Sequence, residues 1–421
     1  MNSALQGLKS RGFFQQCTDE AGLSSLMDSA QVTFYVGCDP TGSSLHIGHM
    51  VPFFALRHLI AGGHKGIALI GGGTARIGDP SGKTEMRQML TYEKIDENVC
   101  NIEKQLDAFI GFDGKNALSD NNKNWLSDLN YIDFLRDIGS CFSVNKMLTF
   151  EAYKKRMETG LSFLEFNYQL LQSFDFLKLY ERHGCVLQIG GDDQWGNIVA
   201  GVDLIRRKTG GTAFGLTFPL ITRSDGKKMG KTEKGAIFLD KNLTSVYDFF
   251  QYWRNVADND VKKFLLLFTF LPLDEIDSVL GGNINAAKEK LALEVTRLIH
   301  GESEAQKALE AARAAFGGSG NTEAMPKVTI ALDAICTQAA GDTESVDATQ
   351  LFVLAGLVPS ISEARRLIQQ GGAHIIEDDA DVVITDIAEK IAVMRIQSGK
   401  IILRAGKKKF CRIELQQKQK G

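Results

Sequence analysis

Two histidines in a short polar turn are the first residues in this sequence whose types and spacing suggest chemistry. His46 and His49 lie three residues apart, so a helix that begins there presents both on one side. Gly48 between them lacks a side chain, which allows a flat ligand to approach the backbone. The turn lies between the apolar run 32–34, a predicted strand, and the apolar segment 50–60, a predicted helix. A strand, a glycine-containing turn and a helix N-terminus form an arrangement that binds phosphate on backbone N–H groups.

A glycine-rich segment at 71–84 carries a weaker signal. It ends in Gly-Lys-Thr, as a P-loop does, but the first glycine of the P-loop pattern would fall on Ile77. We therefore exclude a P-loop nucleotidase, although the glycines still allow a ligand to approach the backbone closely. The preceding run 66–70 is a second predicted strand. With the first strand and its helix it forms a βαβ unit, which implies parallel strands.

Polar residues on one predicted helix form a third cluster. Tyr168, Gln172 and Asp175 fall at i, i+4 and i+7, so they share a face of an otherwise apolar helix. By periodicity alone, a solvated stripe is the simpler interpretation, and the wall of a polar pocket is the alternative. The predicted strand 186–189 runs into glycines and acids at 190–193. Doubly wound sheets bind ligands at such strand ends.

Taken together, these motifs resemble the class I aminoacyl-tRNA synthetases. The sequence H-I-G-H at 46–49 matches the first class I signature, and G-x-D-P-T at 37–41 is similar to its version in the tyrosyl family. Residues 228–232 resemble the second signature, K-M-S-K-S, with Gly230 and Thr232 in place of the two serines. Alone, the first signature could be two solvated histidines at a helix start. The second signature makes that interpretation a poor one.

The string Y-x-x-x-Q-x-x-D at 168–175 matches the helix that binds tyrosine in the tyrosyl-tRNA synthetases. The resemblance implies an enzyme that joins L-tyrosine and ATP into tyrosyl-adenylate and then transfers tyrosine to tRNA(Tyr). It implies ATP as a substrate accompanied by Mg²⁺, with no metal held by the protein itself.

The resemblance also implies a role for each matching position. The expected catalytic residues, which would contact the phosphates, are Thr41, His46, His49, Lys83, Arg87, Lys228 and Lys231. The expected tyrosine-binding residues are Tyr35, Asp79, Tyr168, Gln172, Asp175 and Gln194. The expected ATP-binding residues are Gly37, Asp39, His46, Gly48, His49, Gly191, Asp193 and Lys231. Asp192, beside the expected ribose-binding acid, receives no role.

Composition places the chain among globular proteins. Its 421 residues, 44% hydrophobic and 24% charged, leave room for two or three domains. No apolar run approaches the ~20 residues that cross a bilayer, and no secretory signal is recognised, so we expect no membrane association. The seven cysteines are scattered and form no C-x-x-C pair. This pattern argues against zinc and disulfides and predicts a reducing, cytoplasmic location.

The order of the elements predicts an α/β fold with a Rossmann-like, doubly wound parallel sheet. A helical domain and a small α+β RNA-binding domain are expected to follow. The expected boundaries are 1–240 for the catalytic domain, with a helical lead-in at 1–30 and a helical dimerisation insert at about 113–160, 241–320 for a helical domain on the anticodon side, 321–345 for a linker, and 346–421 for the RNA-binding domain. The insert resembles the dimer-forming insert of the family and leads us to expect a homodimer, with an ordinary apolar core as the alternative.

Positive charge is concentrated near the C-terminus, although the formal net charge of the chain is −3. From residue 395 onward, lysines and arginines face a single acid, Glu414. An ordered module that ends in lysines favours contact with RNA phosphates. The expected tRNA-binding residues are Arg206, Arg207, Arg365, Arg366, Lys407, Lys408 and Lys409.

Two alternatives remain open from the sequence. An RNA-binding or structural factor without catalysis is one, but the residues of both class I signatures argue against it. A synthetase for tryptophan or another amino acid is the nearer alternative. Tyr35 and Asp175 argue against it, because an apolar ring would leave both polar groups without a partner.

Overall fold

The computed structural model describes most of the chain. The described residues are 2–81, 90–224, 226, 229–232, 235–314, 327–331, 335, 345–377, 380–398, 401–406 and 409–416, with the backbone alone described at 231, 232 and 314. They form two compact units. The first is Met1–Leu243 with Val256–Leu291, and the second is Thr244–Asn255 with Ala292–Gly421.

A six-stranded mixed sheet forms the centre of the first unit. Its strands are β1 (Gln16–Cys17), β2 (Thr33–Cys38), β3 (Lys65–Ile70), β4 (Ala117–Asn121), β5 (Cys185–Gly191) and β6 (Phe214–Phe218), in the order β1-β6-β5-β2-β3-β4. All neighbouring pairs are parallel except β1 with β6. The central strands are apolar runs buried on both faces, as parallel strands between two helix layers are. The predicted βαβ unit and Rossmann-like sheet are therefore present.

Helices surround this sheet. They are α1 (Ser3–Arg11), α2 (Glu20–Ser29), α3 (Val51–Ala61), α4 (Tyr92–Ile110), α5 (Lys123–Leu126), α6 (Tyr131–Asp137), α7 (Val144–Met147), α8 (Glu151–Thr159), α9 (Phe163–His183) and α10 (Trp195–Thr209). A two-stranded ribbon, β7 (Lys231–Thr232) and β8 (Gly235–Ala236), follows. None of the helices in the described ranges is long and apolar enough to cross a bilayer.

Three strands of the sheet, β1, β4 and β6, lie where the sequence predicts none, although β6 is a buried apolar run. β1 lies in the expected helical lead-in and makes the sheet mixed, because it pairs antiparallel with β6. Two residues are too few to show a period of two, so this strand leaves no pattern. β4 lies inside the expected helical insert 113–160 and pairs parallel with β3. Only the first residue of β4 is buried, as is usual for a strand at the edge of a sheet. The polar sequence of β4 therefore lacks the pattern that would predict a strand.

Helix α9, which carries the polar face, begins at a well-defined cap. The Ser162 hydroxyl accepts from the Glu165 N–H, and the Glu165 carboxylate accepts from the Ser162 N–H. Arg156 also pairs with Glu165 at 3.0 Å, and both side chains are buried. Burial raises the pKa of Glu165, but hydrogen bonds from Arg156 and Ser162 outweigh it and leave the pKa below its usual value.

The expected helical domain 241–320 divides between the two units. Helices α12 (Asp258–Phe268) and α13 (Leu273–Leu280) belong to the first, and α11 (Val246–Arg254) and α15 (Glu302–Ala314) to the second. Helix α14 (Ile284–His300) contains the boundary. The Arg11 guanidinium of α1 donates to three backbone carbonyls, those of Leu266, Thr269 and Leu271. Leu266 lies in the last turn of α12, and Thr269 and Leu271 follow that helix. These hydrogen bonds explain why 256–291 belongs with the catalytic sheet.

The C-terminal part of the second unit has a sheet of its own. Its strands are β9 (Lys327–Ala331), β11 (Ala373–Glu377), β12 (Ala380–Val383), β14 (Ile402–Ala405) and β15 (Lys409–Gln416), in the order β12-β11-β14-β15-β9. β10 (Ser345–Asp347) pairs separately with β13 (Lys390–Ala392). Helices α16 (Ala348–Leu354), α17 (Ile361–Gln369) and α18 (Val393–Gln397) complete the module and share its apolar core.

This module begins earlier than the sequence predicts. β9 lies in the expected linker 321–345, yet it pairs parallel with β15 from Lys327↔Arg412 to Ala331↔Gln416. The expected basic tail likewise contains β15, which pairs antiparallel with β14. In both segments charged residues interrupt the short apolar alternation that would predict a strand. The two segments, β9 and β15, pair with each other although they are distant in sequence.

Candidate active site

The two signatures meet through their backbones. The Ile47 N–H donates to the Ile237 carbonyl at 3.1 Å, and the Leu239 N–H donates to the Leu45 carbonyl at 2.9 Å. A Cβ on Gly48 would lie 2.9 Å from the Met229 carbonyl oxygen. Glycine is therefore required at position 48 because the second signature packs against it, a reason that the sequence alone does not reveal.

The histidines of the first signature stack on each other. The ring centroids of His46 and His49 are 3.6 Å apart, with the planes inclined by 17°. His46 Nδ1 accepts from the Gly48 N–H at 3.1 Å, and His49 Nδ1 accepts from the His46 N–H at 3.4 Å. A neutral imidazole that accepts at Nδ1 carries its proton at Nε2. Both rings line the cleft.

The cleft itself lies at the C-terminal ends of β2, β3 and β5 and has a volume of about 490 Å³. It brings together every candidate catalytic, tyrosine-binding and ATP-binding residue whose side chain is described. These are Tyr35, Gly37, Asp39, Thr41, His46, Gly48, His49, Asp79, Tyr168, Gln172, Asp175, Gly191, Asp193 and Gln194. Lys83, Arg87 and Lys228 lie outside the described residues, as does the side chain of Lys231.

One end of the cleft contains a buried carboxyl group. Asp175 is 2% exposed and accepts hydrogen bonds from Trp125 Nε1 at 2.7 Å and Asn122 Nδ2 at 2.9 Å. Burial raises the pKa of Asp175 to about 8, against the effect of these two hydrogen bonds. The Tyr35 hydroxyl is buried here too and has no hydrogen-bond partner among the described residues. Burial and the nearby Asp175 carboxyl raise the pKa of Tyr35 well above its usual value.

The glycine-rich segment after β3 brings these groups together. A Cβ on Gly71 would collide with the Asp39 carboxylate and the Thr74 hydroxyl, which are hydrogen bonded to each other at 2.7 Å. The Gly73 N–H donates to Asn122 Oδ1 at 2.7 Å. The groups that approach the backbone closely at these glycines therefore belong to other segments of the protein itself. It orients Asn122, whose importance the sequence analysis missed because β4, which precedes it, was not recognised.

The other end of the cleft is a network of acids and amides. Gln194 Nε2 donates to Asp79 Oδ2 at 2.9 Å, and Gln172 Nε2 donates to Gln194 Oε1 at 3.2 Å. Asn197 Nδ2, which the sequence analysis also missed, donates to Gln172 Oε1 at 2.9 Å. The Tyr168 hydroxyl donates to Asp39 at 2.9 Å.

This end of the cleft suits a cation. Burial raises the pKa of Tyr168 well above its usual value, and the carboxylates of Asp39 and Asp79 raise it further. Burial and Asp79 likewise raise the pKa of Asp193. Several acids thus share a partly buried region, and a bound cation would relieve their mutual repulsion.

Asp192 joins the cleft to the edge of the sheet. Its Oδ1 accepts from Gln16 Nε2 on β1 at 2.7 Å and from Thr217 Oγ1 on β6 at 3.0 Å. Asp192 therefore fastens the turn that carries Asp193 and Gln194 to two strands. The additional charge beside the expected ribose-binding acid is structural.

Comparison with known proteins decides the family. The profile of the tRNA synthetases class I (W and Y) matches residues 27–317. The tyrosine--tRNA ligase of Treponema denticola is 63% identical over 414 residues, covering 98% of this chain and 99% of that protein. The tyrosine--tRNA ligase of Treponema pallidum is 59% identical over 98% of both chains. The chain belongs to the tyrosyl-tRNA synthetases.

Solved structures agree with this family. The C-terminally truncated mitochondrial tyrosyl-tRNA synthetase of Aspergillus nidulans superposes with a TM-score of 0.68 at 30% identity, covering 74% of this chain and 94% of that one. The tryptophanyl-tRNA synthetase of Encephalitozoon cuniculi shares the fold, with a TM-score of 0.55 at 15% identity over 72% of this chain and 87% of that one. The predicted class I fold of this tyrosyl-tRNA synthetase is thereby confirmed.

Those of the predicted tRNA-binding residues that the structure describes lie on the surfaces of both units of this synthetase. Arg206 and Arg207 pair with Asp203 at 2.7 and 3.0 Å. On α17, Arg365 is exposed and Arg366 pairs with Glu363 at 2.8 Å. In the C-terminal module, Lys409 Nζ donates to the Leu357 carbonyl at 3.1 Å, and Lys407 and Lys408 lie outside the described residues.

No group of three or more His, Cys, Asp or Glu that could hold a metal ion occurs within the described part of the synthetase. The acids of the cleft instead accept hydrogen bonds from amides and hydroxyls. These donors and the neighbouring chain already occupy positions around each carboxylate.

The substitution Asp175→Asn tests the raised pKa of this carboxyl group through the stability of the fold. Between about pH 4 and pH 8, folded wild-type protein keeps a proton on Asp175 that the unfolded chain has released, so stability falls as the pH rises. The variant lacks this group. As the pH rises over this range, the free energy of unfolding of the variant should therefore increase relative to that of the wild type. The increase should be a few kcal/mol, at about 1.4 kcal/mol per pKa unit. Urea unfolding at pH 5 and pH 8.5 measures the change.

The substitution Asp203→Asn is the matched control. Burial opposes ionisation of Asp203, but hydrogen bonds from Arg206 and Arg207 leave its pKa below its usual value. Asp203 is therefore ionised in both states above about pH 5, and the difference between this variant and the wild type should stay constant. A constant difference for Asp175→Asn as well would mean that Asp175 is ionised in the folded protein throughout.

Proposed function

We propose that this protein is a tyrosine–tRNA ligase that activates L-tyrosine with ATP and then charges tRNA(Tyr). One observation carries the choice of amino acid. Tyr35 has a buried hydroxyl without a partner among the described residues, in the same end of the cleft as the buried Asp175 carboxyl. A substrate phenol would supply the missing hydrogen bond, whereas an apolar ring would leave the Tyr35 hydroxyl buried and unpaired. The curated relatives named tyrosine--tRNA ligase support the same choice.

The tyrosine ammonium group would bind at the acidic end. Asp79 would be its counterion, with Tyr168, Gln172 and Gln194 as neutral partners. The existing hydrogen bonds of Gln194 to Asp79 and of Gln172 to Gln194 support this assignment, because they hold the polar atoms in place before the substrate arrives. A preorganised site of this kind loses little side-chain entropy on binding.

ATP would lie across the first signature. His46, His49 and Thr41 would donate to its phosphates, and Asp193 would accept from the ribose hydroxyls. The backbone near Gly37, Asp39, Gly48 and Gly191 would complete the nucleotide site. The lysines and arginine of the two loops, Lys83, Arg87, Lys228 and Lys231, are assigned to the pyrophosphate by resemblance. Magnesium would arrive with ATP, held chiefly by the phosphates.

The first step follows from these positions. A carboxylate oxygen of tyrosine forms a bond to the α-phosphorus, the bond from that phosphorus to the bridging oxygen breaks, and pyrophosphate leaves. The nucleophile is already ionised, so no general base is needed. The protein contributes alignment of the reactants and donors for the charge that develops on pyrophosphate. In the second step a terminal tRNA hydroxyl attacks the tyrosyl carbonyl and AMP leaves.

Exchange of radioactive pyrophosphate into ATP with each of the twenty amino acids tests this proposal. Tyrosine alone should support efficient exchange. In Tyr35→Phe, the ratio of kcat/KM for tyrosine over phenylalanine should fall about five- to tenfold, because one neutral hydrogen bond is lost.

The substitution Tyr153→Phe is the control for this measurement. It also removes a buried hydroxyl, but one that donates to the Phe166 carbonyl at 3.0 Å and does not line the cleft. The ratio should stay at the wild-type value in this variant. An unchanged ratio in Tyr35→Phe would remove Tyr35 from recognition of the phenol.

The homodimer is proposed from the helical insert. Between positions 131 and 163, five large apolar side chains are exposed, namely Tyr131, Ile132, Val144, Met157 and Phe163. Phe163 is 69% exposed at the first position of α9, the helix that carries the tyrosine site. Exposed apolar groups at this density support a protein interface.

Phe163→Asp tests the dimer. Wild-type protein should sediment with twice the mass of one chain, and the variant should shift towards one chain, because the substitution buries a charge in the interface. Leu273→Asp, at an exposed apolar position on α13 outside the insert, should keep the wild-type mass. A monomeric wild type would refute the proposal.

The C-terminal module is proposed to bind tRNA(Tyr), with the helical segment before it on the anticodon side. Arg365 and Arg366 lie on α17, at the surface of the module. Arg206 and Arg207 of the first unit would also contact the tRNA. With tRNA and ATP as substrates we further propose a cytoplasmic location, which cell fractionation would test.

The double substitution Arg365→Ala with Arg366→Ala should weaken tRNA binding and leave pyrophosphate exchange unchanged. The slope of log K against log salt should fall by about 1 to 2, since each phosphate contact contributes nearly one. Lys94→Ala, on α4 of the first unit and outside the proposed tRNA surface, is the control for the loss of a surface charge. Filter binding across a salt series measures all three proteins. Wild-type affinity and slope in the double variant would exclude α17 from the RNA surface.

A further inference from the structure

Gln105 is a polar residue of α4 that does not line the cleft and to which neither the motifs nor the proposed mechanism gives a role. Its amide forms two hydrogen bonds to the two residues before His46. Gln105 Oε1 accepts from the Leu45 N–H at 2.9 Å, and Gln105 Nε2 donates to the Ser44 hydroxyl at 3.1 Å. Gln105 therefore holds both the backbone and a side chain of the segment that leads into the first signature.

Ser44 connects this contact to the chain that follows the second signature. It is 4% exposed, and its hydroxyl accepts from the Asp240 N–H at 3.2 Å as well as from Gln105. The same hydroxyl donates to the Leu45 carbonyl at 2.8 Å. A hydroxyl has one hydrogen and two lone pairs, so these three partners use the whole capacity of Ser44. Three segments of the chain thus meet at one buried hydroxyl.

The same helix holds the other end of this segment. Asn98 and Gln105 fall at i and i+7 of α4 and so share a face. Asn98 is 1% exposed, and its Nδ2 donates to the Pro40 carbonyl at 3.0 Å. Pro40 directly precedes Thr41, which lines the cleft as His46 does. Helix α4 therefore fixes the chain immediately before each of these two residues.

We propose that Gln105 is a positioning residue for His46, which it holds where the imidazole donates to the phosphates of ATP during adenylation. The inference rests on the proposed function, because it assumes that His46 contacts those phosphates. Gln105 lies outside the cleft and would touch neither substrate. A donor that is fixed in place before the reaction stabilises developing charge without reorganisation, so a displaced imidazole slows the step.

The substitution Gln105→Met, which keeps the length of the side chain and removes the amide, tests the proposal. Rapid-quench kinetics with tyrosine and ATP should show a rate constant for adenylate formation that falls about tenfold, because a small displacement of a positioned group is costly in the transition state. The dissociation constant of tyrosine should keep its wild-type value, because the proposed site for the tyrosine ammonium group lies at the acidic end of the cleft. A merely structural role would instead weaken tyrosine binding together with the rate.

A double-mutant cycle with His46→Ala shows whether Gln105 acts through that imidazole. His46→Ala alone should slow adenylate formation. In the His46→Ala background, Gln105→Met should slow it further by less than about twofold, because the group that Gln105 positions is already absent. A further tenfold loss in that background would mean that Gln105 acts elsewhere.

Glu103 on the same helix supplies the matched control. Its carboxylate accepts from the Ser119 hydroxyl at 2.6 Å and so also joins α4 to another segment. That segment is the edge strand β4, and not the chain beside a signature. Glu103→Met should therefore keep the wild-type rate constant and the wild-type dissociation constant of tyrosine.

The outcomes separate the two proposals. If the wild type forms no tyrosyl-adenylate, the proposed function is wrong. If the wild type forms it but Gln105→Met keeps the wild-type rate, or loses rate and tyrosine affinity together, Gln105 does not position His46. Ser44→Ala provides the second test if the Gln105 variant fails to fold. It should lower the rate constant at an unchanged dissociation constant of tyrosine, and a wild-type rate would overturn the inference.

Discussion

The burial of one carboxyl group governs the arrangement of the first unit. Asp175 is removed from water on α9 and therefore needs donors that the protein must bring to it. Asn122 and Trp125 supply them from the segment after the edge strand β4. That segment reaches α9 because the glycines after β3 leave room for it. The solvation of this single side chain thus accounts for the position of β4, the glycines in the turn after β3 and the buried face of α9.

The contact between the two signatures is a second constraint of the same kind. Gly48 and Met229 lie against each other, and strand-like hydrogen bonds connect 45–47 with 237–239. The histidines consequently keep a fixed orientation relative to the start of the loop that carries the second signature. The proposed nucleotide contacts of the two signatures would therefore be coupled through the backbone and not only through a shared ligand.

Sequence patterns predicted what depends on local periodicity. The β2–α3–β3 unit, the polar face of α9 and the acids after β5 were each found from spacing, and the family resemblance joined them into one site. Strands β1, β4 and β9 are among those that were not found, because short or polar strands are stabilised by partners far away in sequence. The roles of Asp192 and Asn122 were missed for the same reason. Each acts through a hydrogen bond to a segment that no local pattern connects with it.

The hydrogen bond between Asp192 and Gln16 of β1 affects the order in which the chain folds during synthesis. Gln16 is synthesised early, but its hydrogen-bond partner Asp192 follows 176 residues later. Thr217 on β6, which is the register partner of Gln16, is synthesised later still. Closing so long a loop is slow relative to forming a helix, since distant contacts must wait for the intervening chain. The amino-terminal strand therefore joins the sheet last. The turn carrying Asp193 becomes fully anchored only when nearly the whole catalytic unit has left the ribosome.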